Sequence, residues 1–317
     1  MRILAAALPC LFATSVAWAC DPCALYSATR ISGHTEGNFT LSVNEQYTNF
    51  DRVSARENES IQDGEAAREY STTMLSLGYD LADSAGVQLS LPIIARRFDE
   101  YTTYRASSES ETGIGDATLA ASYTPISKKS VDEAWIVGVF GGVKFPTGDS
   151  GSLEEAEPQP TIARHHPVGG GSSGRALSLG SGSFDFPLGM FALTRLNRAF
   201  VLANVQYTIR TQGDFDYEFA DDLVWSAGPG AYVLLHDDYT VALRAVLGGE
   251  AKGRDQHNGA LVDGSAITET YLGPEVIFTV GPLSGELGVD FRVTDEDGDA
   301  LVVPDFRVRA GLSYRFG

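Results

Sequence analysis

A regular series of strand-like segments is the feature that most constrains what this chain can fold into. From residue 37 onward, apolar and polar residues alternate with a period of two, as is typical of β-strands, in runs of about ten residues. Helical periodicity is rare beyond the N-terminal segment. The twelve runs cover roughly residues 37–50, 69–81, 86–98, 113–125, 134–146, 180–193, 199–212, 219–235, 239–250, 267–280, 284–294 and 304–316.

The connections between these runs alternate in length. Short ones such as ADSAG, RLNR, HDD and GPLSG alternate with longer ones such as DRVSARENESIQDGEAAR, DEYTTYRASSESE and the segment 147–179. A soluble β-sandwich has no reason for this asymmetry, whereas a transmembrane barrel has short periplasmic turns and long extracellular loops. Runs of about ten residues also match the length that a tilted strand needs to cross a bilayer. The sequence therefore predicts an all-β fold, a transmembrane antiparallel up-and-down β-barrel of about twelve strands with periplasmic termini.

The two faces of the predicted strands differ in polarity. In GELGVDFRV, Leu287, Val289 and Phe291 alternate with Glu286 and Asp290. Across the chain, the polar faces hold charges of both signs together with many glycines. Because lipid excludes charge and a wet lumen tolerates it, we expect the aliphatic faces to contact lipid and the charged faces to enclose the lumen.

The last strand, DFRVRAGLSYRFG, follows the same pattern. Phe306 to Phe316 form its apolar side, and Arg307, Arg309 and Arg315 lie on the other. Its end is similar to the C-terminal aromatic signal of bacterial outer-membrane proteins, with one extra glycine, so we expect it to contact the barrel-assembly machinery. Aromatic residues near strand ends are expected to form girdles at the two membrane interfaces. The girdle candidates are Tyr79, Tyr123, Phe145, Tyr207, Tyr314 and Phe316.

The N-terminus has the features of an export signal. MRILAAALPCLFATSVAWAC contains an apolar run and a small-x-small site, which predicts a signal peptide over residues 1–19. A lipoprotein acylated at Cys20 is the alternative. The predicted periplasmic segment 20–36 then carries Cys20 and Cys23, as a disulfide, as idle thiols, or as part of a metal site, and the barrel spans 37–317.

Charge limits the partners of this chain. The formal net charge of −19 argues against nucleic acid as a partner. Much of it lies in predicted loops, where DFDYEFADD contributes Asp221 and Asp222, and where Asp295, Asp297 and Asp299 alternate. We expect these acids to form a surface that faces lipopolysaccharide, with divalent-cation binding or a cation-preferring vestibule as alternatives.

Three motifs carry a resemblance to a known family. They are GIGDATLAASYTPI at 113–126, GVKFPTGD at 142–149 and LGSGSFDFPLG at 179–189. In this order they resemble an outer-membrane family named for the MetA pathway of phenol degradation, and the likeness covers nearly the whole chain after the signal. The resemblance implies an outer-membrane β-barrel that acts as a channel for small molecules, hydrophobic or aromatic ones included. It supplies no catalytic residue and does not include CDPC.

Charged residues on the polar faces are the candidates for a functional lumen. They either pair as structural ion pairs that fill a narrow barrel, or line a pore and orient polar solutes. Twelve strands predict a narrow or plugged channel, and the long segment 147–179, with His165 and His166, is a candidate to fold inward. The pore-lining candidates are Arg96, Lys144, Arg210, Arg244, Glu250, Glu286, Asp290, Arg292, Arg307, Arg309 and Arg315, with Asp80, Asp116, Asp185 and Glu275 as further acidic partners.

The sequence contains no common enzyme motif. It has no HExxH or phosphate-binding Gly-Lys-Ser/Thr motif, and it has no GxSxG nucleophile elbow, because its GxSxG match, GGSSG at 170–174, lies inside the long segment 147–179 between predicted strands. Neither an enzyme nor a cofactor is therefore expected. The predicted function is an outer-membrane channel for passive passage of a small-molecule solute, embedded in outer-membrane lipid and lipopolysaccharide. The alternative is a non-conducting structural or partner-binding barrel that uses the Cys20 and Cys23 pair for metal or a disulfide.

Overall fold

The computed structural model describes residues 37–50, 52–53, 64–102, 105–156, 177–262, 265–294 and 302–317. Within these ranges almost all regular structure is β-strand. The predicted signal peptide and the segment with Cys20 and Cys23 lie outside the described residues, and so do His165, His166 and the alternating acids at 295–299. No helix among the described residues is long and apolar enough to span a bilayer.

The main sheet is antiparallel and contains thirteen hydrogen-bonded segments. Two of them, Arg105–Ile114 and Thr118–Lys129, follow one another along a single strand, so the sheet has twelve strands. The strands are β1 Phe39–Phe50, β2 Gly64–Ala82, β3 Ala85–Thr102, β4 in two segments Arg105–Ile114 and Thr118–Lys129, β5 Glu133–Lys144, β6 Phe186–Leu196, β7 Ala199–Ile209, β8 Asp222–Leu235, β9 Tyr239–Lys252, β10 Ile267–Val280, β11 Leu283–Arg292 and β12 Phe306–Phe316.

The sheet closes on itself between the first and last strands. β1 pairs with β2 on one side, from Phe39 opposite Tyr79, and with β12 on the other, from Phe39 opposite Phe316. Closure leaves no free edge over the length of β1, as lipid requires. The predicted twelve-stranded antiparallel barrel is therefore confirmed.

The ends of the barrel differ, as the connection lengths predict. The hairpins β2–β3, β4–β5, β6–β7, β8–β9 and β10–β11 turn within a few residues, at the end that also holds the start of β1 and the end of β12. This is the turn end, and it is periplasmic in outer-membrane barrels. The longer connections lie at the opposite, loop end.

Several short strands and 3-10 helices lie at the loop end. Arg52–Val53 pairs with Val302–Val303, and Tyr217–Glu218, Gln256–His257 and Ala260–Leu261 form a small three-stranded sheet. Two 3-10 helices lie in the described part of these loops, Gly151–Ala156 and Asp214–Asp216. They pack through a small apolar cluster of Leu153, Tyr217, Phe219 and Val262, which joins three loops above the rim.

The outer face of the barrel is apolar. Leu89, Leu243, Leu287 and Leu312 are about half exposed, although each lies in the middle region of a strand. Their inward neighbours are polar or small, so the alternation has the polarity expected for lipid outside and a charged lumen inside. At the turn end, the ring centroids of Phe39 and Tyr79 lie 4.6 Å apart and those of Tyr314 and Phe316 lie 5.8 Å apart. These rings form part of an interfacial aromatic belt.

Two predicted strand boundaries are wrong for one physical reason. The run predicted over 113–125 is a strand interrupted at Gly115–Ala117, and the run predicted over 180–193 begins only at Phe186. In both places the chain leaves the ladder to make contacts near Lys144, where β5 ends. Side-chain contacts there replace the sheet pairing that the alternation predicts.

Candidate functional site

The centre of the lumen holds a chain of ion pairs on β9, β10, β11 and β12. The Arg244 Nη1 donates to Glu275 Oε2 at 3.1 Å, and Arg309 Nη1 donates to Glu275 Oε1 at 3.1 Å. Arg309 also donates from Nε and Nη2 to the two oxygens of Asp290, at 2.6 and 3.1 Å. One carboxylate thus joins two arginines, and one arginine joins two carboxylates.

A second group of charges lies nearer the loop end. Arg307 Nη2 donates to Glu250 Oε2 at 3.0 Å, and its guanidinium lies 3.9 Å from the centre of the Tyr271 ring. Arg292 is hydrogen-bonded to Glu269 on the neighbouring strand. Charges of both signs therefore face the lumen. The paired cations and anions create an electric field across it, and neither sign of charge lines it alone.

Glycine makes room for these long side chains on the lumen wall. A Cβ built at Gly288 would lie 3.1 Å from Arg309 Nη2, and one at Gly311 would lie 2.5 Å from Asn44 Oδ1. Both contacts are tighter than side chains ordinarily make. The many glycines on the polar faces therefore have a packing role, because they let arginine and asparagine lie along the wall.

A cavity of about 150 Å³ lies inside the barrel beside these pairs. Arg244, Arg307, Arg309 and Tyr271 contribute to its wall from one side. The wall continues across the closure onto the adjacent strands β1 and β2, with Asn44, Gln46, Thr72, Met74 and Ser76.

The lumen becomes apolar towards the turn end. A buried cluster there includes Ile136, Phe140, Phe191, Phe200 and Leu202, on strands β5 to β7, and Tyr232 of β8 packs against it. Several of these residues are within a few positions of a hairpin turn. The lumen therefore contains a charged region and, towards the turn end, an apolar cluster.

The three motifs that carry the family resemblance meet in one buried cluster at the wall. Lys144 Nζ lies 3.0 Å from Asp116 Oδ2 and 2.7 Å from Asp185 Oδ2. Asp116 also accepts hydrogen bonds from the Ser181 backbone N–H at 2.9 Å and its hydroxyl at 2.7 Å. Asp185 in turn pairs with Arg210 Nη1 at 3.2 Å. We call Asp116, Lys144, Ser181, Asp185 and Arg210 the motif cluster.

Backbone contacts tighten this cluster. The Thr147 hydroxyl donates to the Gly115 carbonyl at 3.1 Å and accepts from the Ala117 N–H at 2.8 Å. A Cβ at Gly180 would lie 2.5 Å from the Gly148 backbone. The motif glycines therefore allow three chain segments to touch where β4 is interrupted, and Leu179 packs beside Gly113 in the same place.

The structure places the predicted lumen residues in different surroundings. Arg244, Asp290 and Arg309 belong to the central ion pairs. Glu250, Arg292 and Arg307 belong to the second group nearer the loop end, and Glu286 is buried in the same wall. Lys144 and Arg210 belong to the motif cluster. Arg96 lies 5.2 Å from the Tyr70 ring centre, nearer the loop end, and Arg315 lies at the turn end, where its N–H donates to the Pro282 carbonyl.

Sequence reasoning missed several residues of these clusters. Asp222 was expected to be a surface charge of an acidic loop, and this is wrong: it begins β8, is buried, and accepts from Arg210 Nε at 3.1 Å. Its loop neighbour Asp221 accepts from the Tyr207 hydroxyl at 2.6 Å. Extending the alternation of β8 back from Ser226 through Val224 would have placed Asp222 inward. No sequence signal marks Tyr271 as a cavity residue.

Nothing in the described part of the chain resembles a metal centre. No group of three or more His, Cys, Asp or Glu side chains among the described residues is arranged to hold a metal ion. Whether Cys20 and Cys23 bind metal stays a prediction. The described lumen thus offers hydrogen bonds, charge and apolar contact.

Comparison with solved structures gives the fold independent support. The chain is similar to the COG4313 outer membrane channel from Pseudomonas putida F1, with 14% sequence identity, a TM-score of 0.59, and coverage of 92% of this chain and 100% of that chain. It is also similar to the translocator domain of autotransporter NalP from Neisseria meningitidis, with 13% identity, a TM-score of 0.43, and coverage of 90% and 91%. No protein-family model matches the sequence. No curated protein matches it either.

At this identity the likeness to the Pseudomonas putida channel shows the fold alone. It agrees with the closed barrel, the apolar outer face and the charged interior described above. Together these features confirm the outer-membrane barrel that the sequence resemblance implies, and they place the chain in the bacterial outer membrane.

Proposed function

We propose that this barrel is an outer-membrane channel for passive passage of small molecules. The observation that carries the proposal is the closed wall with an apolar outer face and a lumen lined by arginines and carboxylates beside a cavity of about 150 Å³. A barrel that served only as a scaffold would gain stability from an apolar interior, because buried ion pairs add little to stability. Fixed charges of both signs instead suit a path that polar groups cross.

The interior also limits which solutes can pass. The apolar cluster around Phe140, Phe191 and Phe200 narrows the lumen near the turn end. Small solutes with both polar and apolar parts match both regions of the path. The Pseudomonas putida protein of similar fold is described as an outer membrane channel, which supports the proposal. The proposal includes no catalytic residue.

Liposome swelling tests this function. Purified full-length protein is reconstituted into vesicles and diluted into isosmotic solutions of solutes of increasing size. We expect swelling with the smallest solutes and a steep loss of rate with size. Vesicles that received heat-unfolded protein are the control. Equal rates for both vesicle preparations with every solute, when the folded barrel is shown to be inserted, would refute the channel.

The rival function is a non-conducting structural or partner-binding barrel. The close pairing of the lumen charges and the apolar cluster favour it, because both fill space inside the wall. In this hypothesis Cys20 and Cys23 form a periplasmic contact with a partner or bind a metal ion. A double Cys20→Ser and Cys23→Ser variant that keeps uptake and loses a co-purifying partner or metal would favour such a role.

A further inference from the structure

Four residues that line the luminal cavity carry buried polar atoms without a hydrogen-bond partner among the described residues. The atoms are Arg244 Nε, Arg307 Nε, the Tyr271 hydroxyl and Asn44 Oδ1. Tyr271 is 3% exposed and Arg244 is 4% exposed. Leaving buried polar groups unpaired costs free energy, and native structures contain few of them. Four around one cavity indicate that the cavity is built for a ligand.

The unused hydrogen-bonding capacity of this wall is mainly that of donors. Arginine Nε can only donate, and the tyrosine hydroxyl can donate. The nearby carboxylates are already occupied. Glu275 accepts from Arg244 and Arg309, and Asp290 accepts twice from Arg309. Glu45 accepts from the hydroxyls of Ser71 and Thr73, and Glu286 is not free either. The unpartnered Glu250 Oε1 belongs to a residue that does not line the cavity. A ligand that completes these bonds must therefore bring acceptor oxygens.

The size and remaining lining of the cavity restrict the ligand further. A cavity of about 150 Å³ is large enough for one benzene-sized ring. Met74, Val224 and Val246 supply apolar contact within it. The Asn44 Oδ1, which accepts, is available for a donor on a further polar substituent.

We propose that this cavity is a reversible binding site for a small organic carboxylate with a body the size of one ring. The carboxylate accepts from Arg244, Arg307 and Tyr271, and the ring contacts the apolar side chains of the wall. The site lies above the apolar cluster and holds the solute before it meets that barrier. This binding site extends the channel proposal, and its role in transport depends on that proposal.

Isothermal titration calorimetry on the folded full-length protein tests the site without requiring conduction. Benzoate is the probe, and benzyl alcohol and benzylamine are neutral and cationic molecules of similar size. We expect saturable binding of benzoate and binding of the other two that is weaker by about tenfold or more, because a hydrogen bond to a charged group is stronger than one to a neutral group.

Two variants locate the binding to this cavity. Tyr271→Phe removes only an unpartnered hydroxyl. Arg244→Lys keeps the charge beside Glu275 but loses the Nε donor together with the Nη2 donor to the Leu202 carbonyl. We expect each to weaken benzoate binding about tenfold. Tyr232→Phe, the same change at the apolar cluster, is the matched control, and we expect it to leave binding unchanged. The heat-dependent gel mobility of each variant verifies folding.

Three results would overturn the site: no saturable benzoate binding, equal affinity for benzyl alcohol, or unchanged affinity in both cavity variants. Swelling assays on the same preparations separate this proposal from the channel itself. Swelling without benzoate binding removes the site and leaves the channel. Benzoate binding without swelling removes the channel and leaves a binding barrel.

Discussion

Phe191 of β6 covers Gly138, its directly paired neighbour on β5. A Cβ placed on Gly138 would lie 2.2 Å from Phe191 Cζ, which no real side chain tolerates. The same relationship recurs at Gly189, which Phe140 covers, and at Gly230, which Phe200 covers. In each case the absent side chain lets an aromatic ring lie against the barrel wall. Glycine thus sets how far the apolar cluster reaches into the lumen.

Gly138→Ala tests this relationship. The new methyl group must push the Phe191 ring from the wall into the lumen, so we expect a smaller single-channel conductance and a loss of stability of about 1–3 kcal/mol. Gly253→Ala is the control, because its Cβ would meet only the Ala220 methyl group at 3.4 Å. Conductance equal to that of the wild type in Gly138→Ala would show that the cluster does not limit the path.

Removing one partner of the motif cluster is predicted to destabilise the barrel strongly. Lys144→Gln leaves Asp116 and Asp185 buried without their shared cation, and we expect a loss of about 3–5 kcal/mol in the free energy of unfolding. Lys128→Gln is the matched control. Its pair with Glu133 spans 3.9 Å and its side chain is 74% exposed, so we expect a change of about 0–1 kcal/mol. Urea unfolding in detergent measures the free energy of unfolding of each variant. Equal losses in the two variants would contradict this prediction.

Arg309 is predicted to set the ion preference of the lumen. Arg309→Gln removes the cation that pairs with Asp290 and contributes to Glu275. An unpaired carboxylate about 4 Å from the path attracts a cation by about 1 kcal/mol in a water-like medium, so we expect about fivefold stronger cation preference. The reversal potential in a salt gradient measures it. Lys128→Gln makes the same charge change outside the lumen and should leave the reversal potential unchanged, whereas equal shifts in both variants would contradict the assignment.

The lipid-facing surface gives a prediction about assembly. Leu287 is 54% exposed in the middle of β11, so Leu287→Arg should destabilise the inserted barrel by about 2–4 kcal/mol. Val131→Arg, at a residue that is 90% exposed in a hairpin turn, should have little effect. The fraction of each protein that folds into lipid vesicles measures the difference. Efficient insertion of Leu287→Arg would show that this face does not contact hydrocarbon.

Much of the barrel could be predicted from the sequence because its signals are local. Alternation with a period of two fixes which side of β11 faces outward, and the short and long connections fix which strand ends meet. Leu287, Phe291, Glu286 and Asp290 all lie on the predicted sides. The charged residues of the lumen could be identified for the same reason.

The site could not be predicted to the same depth because its contacts join distant parts of the chain. Asp116 bonds to Ser181, which is 65 residues further along the sequence. That contact breaks β4 and delays the start of β6, so the strand pattern fails at the motifs themselves. Likewise, the place of Tyr271 in the cavity wall depends on strands that come together only when the barrel closes.

Recording from planar bilayers with the purified full-length protein tests the central claim most directly, namely that the charged lumen is a path through the membrane. The account predicts discrete conductance steps that grow smaller in Gly138→Ala and become more cation-selective in Arg309→Gln. Bilayers that stay silent at every voltage, although the inserted protein keeps its folded gel mobility, would contradict it.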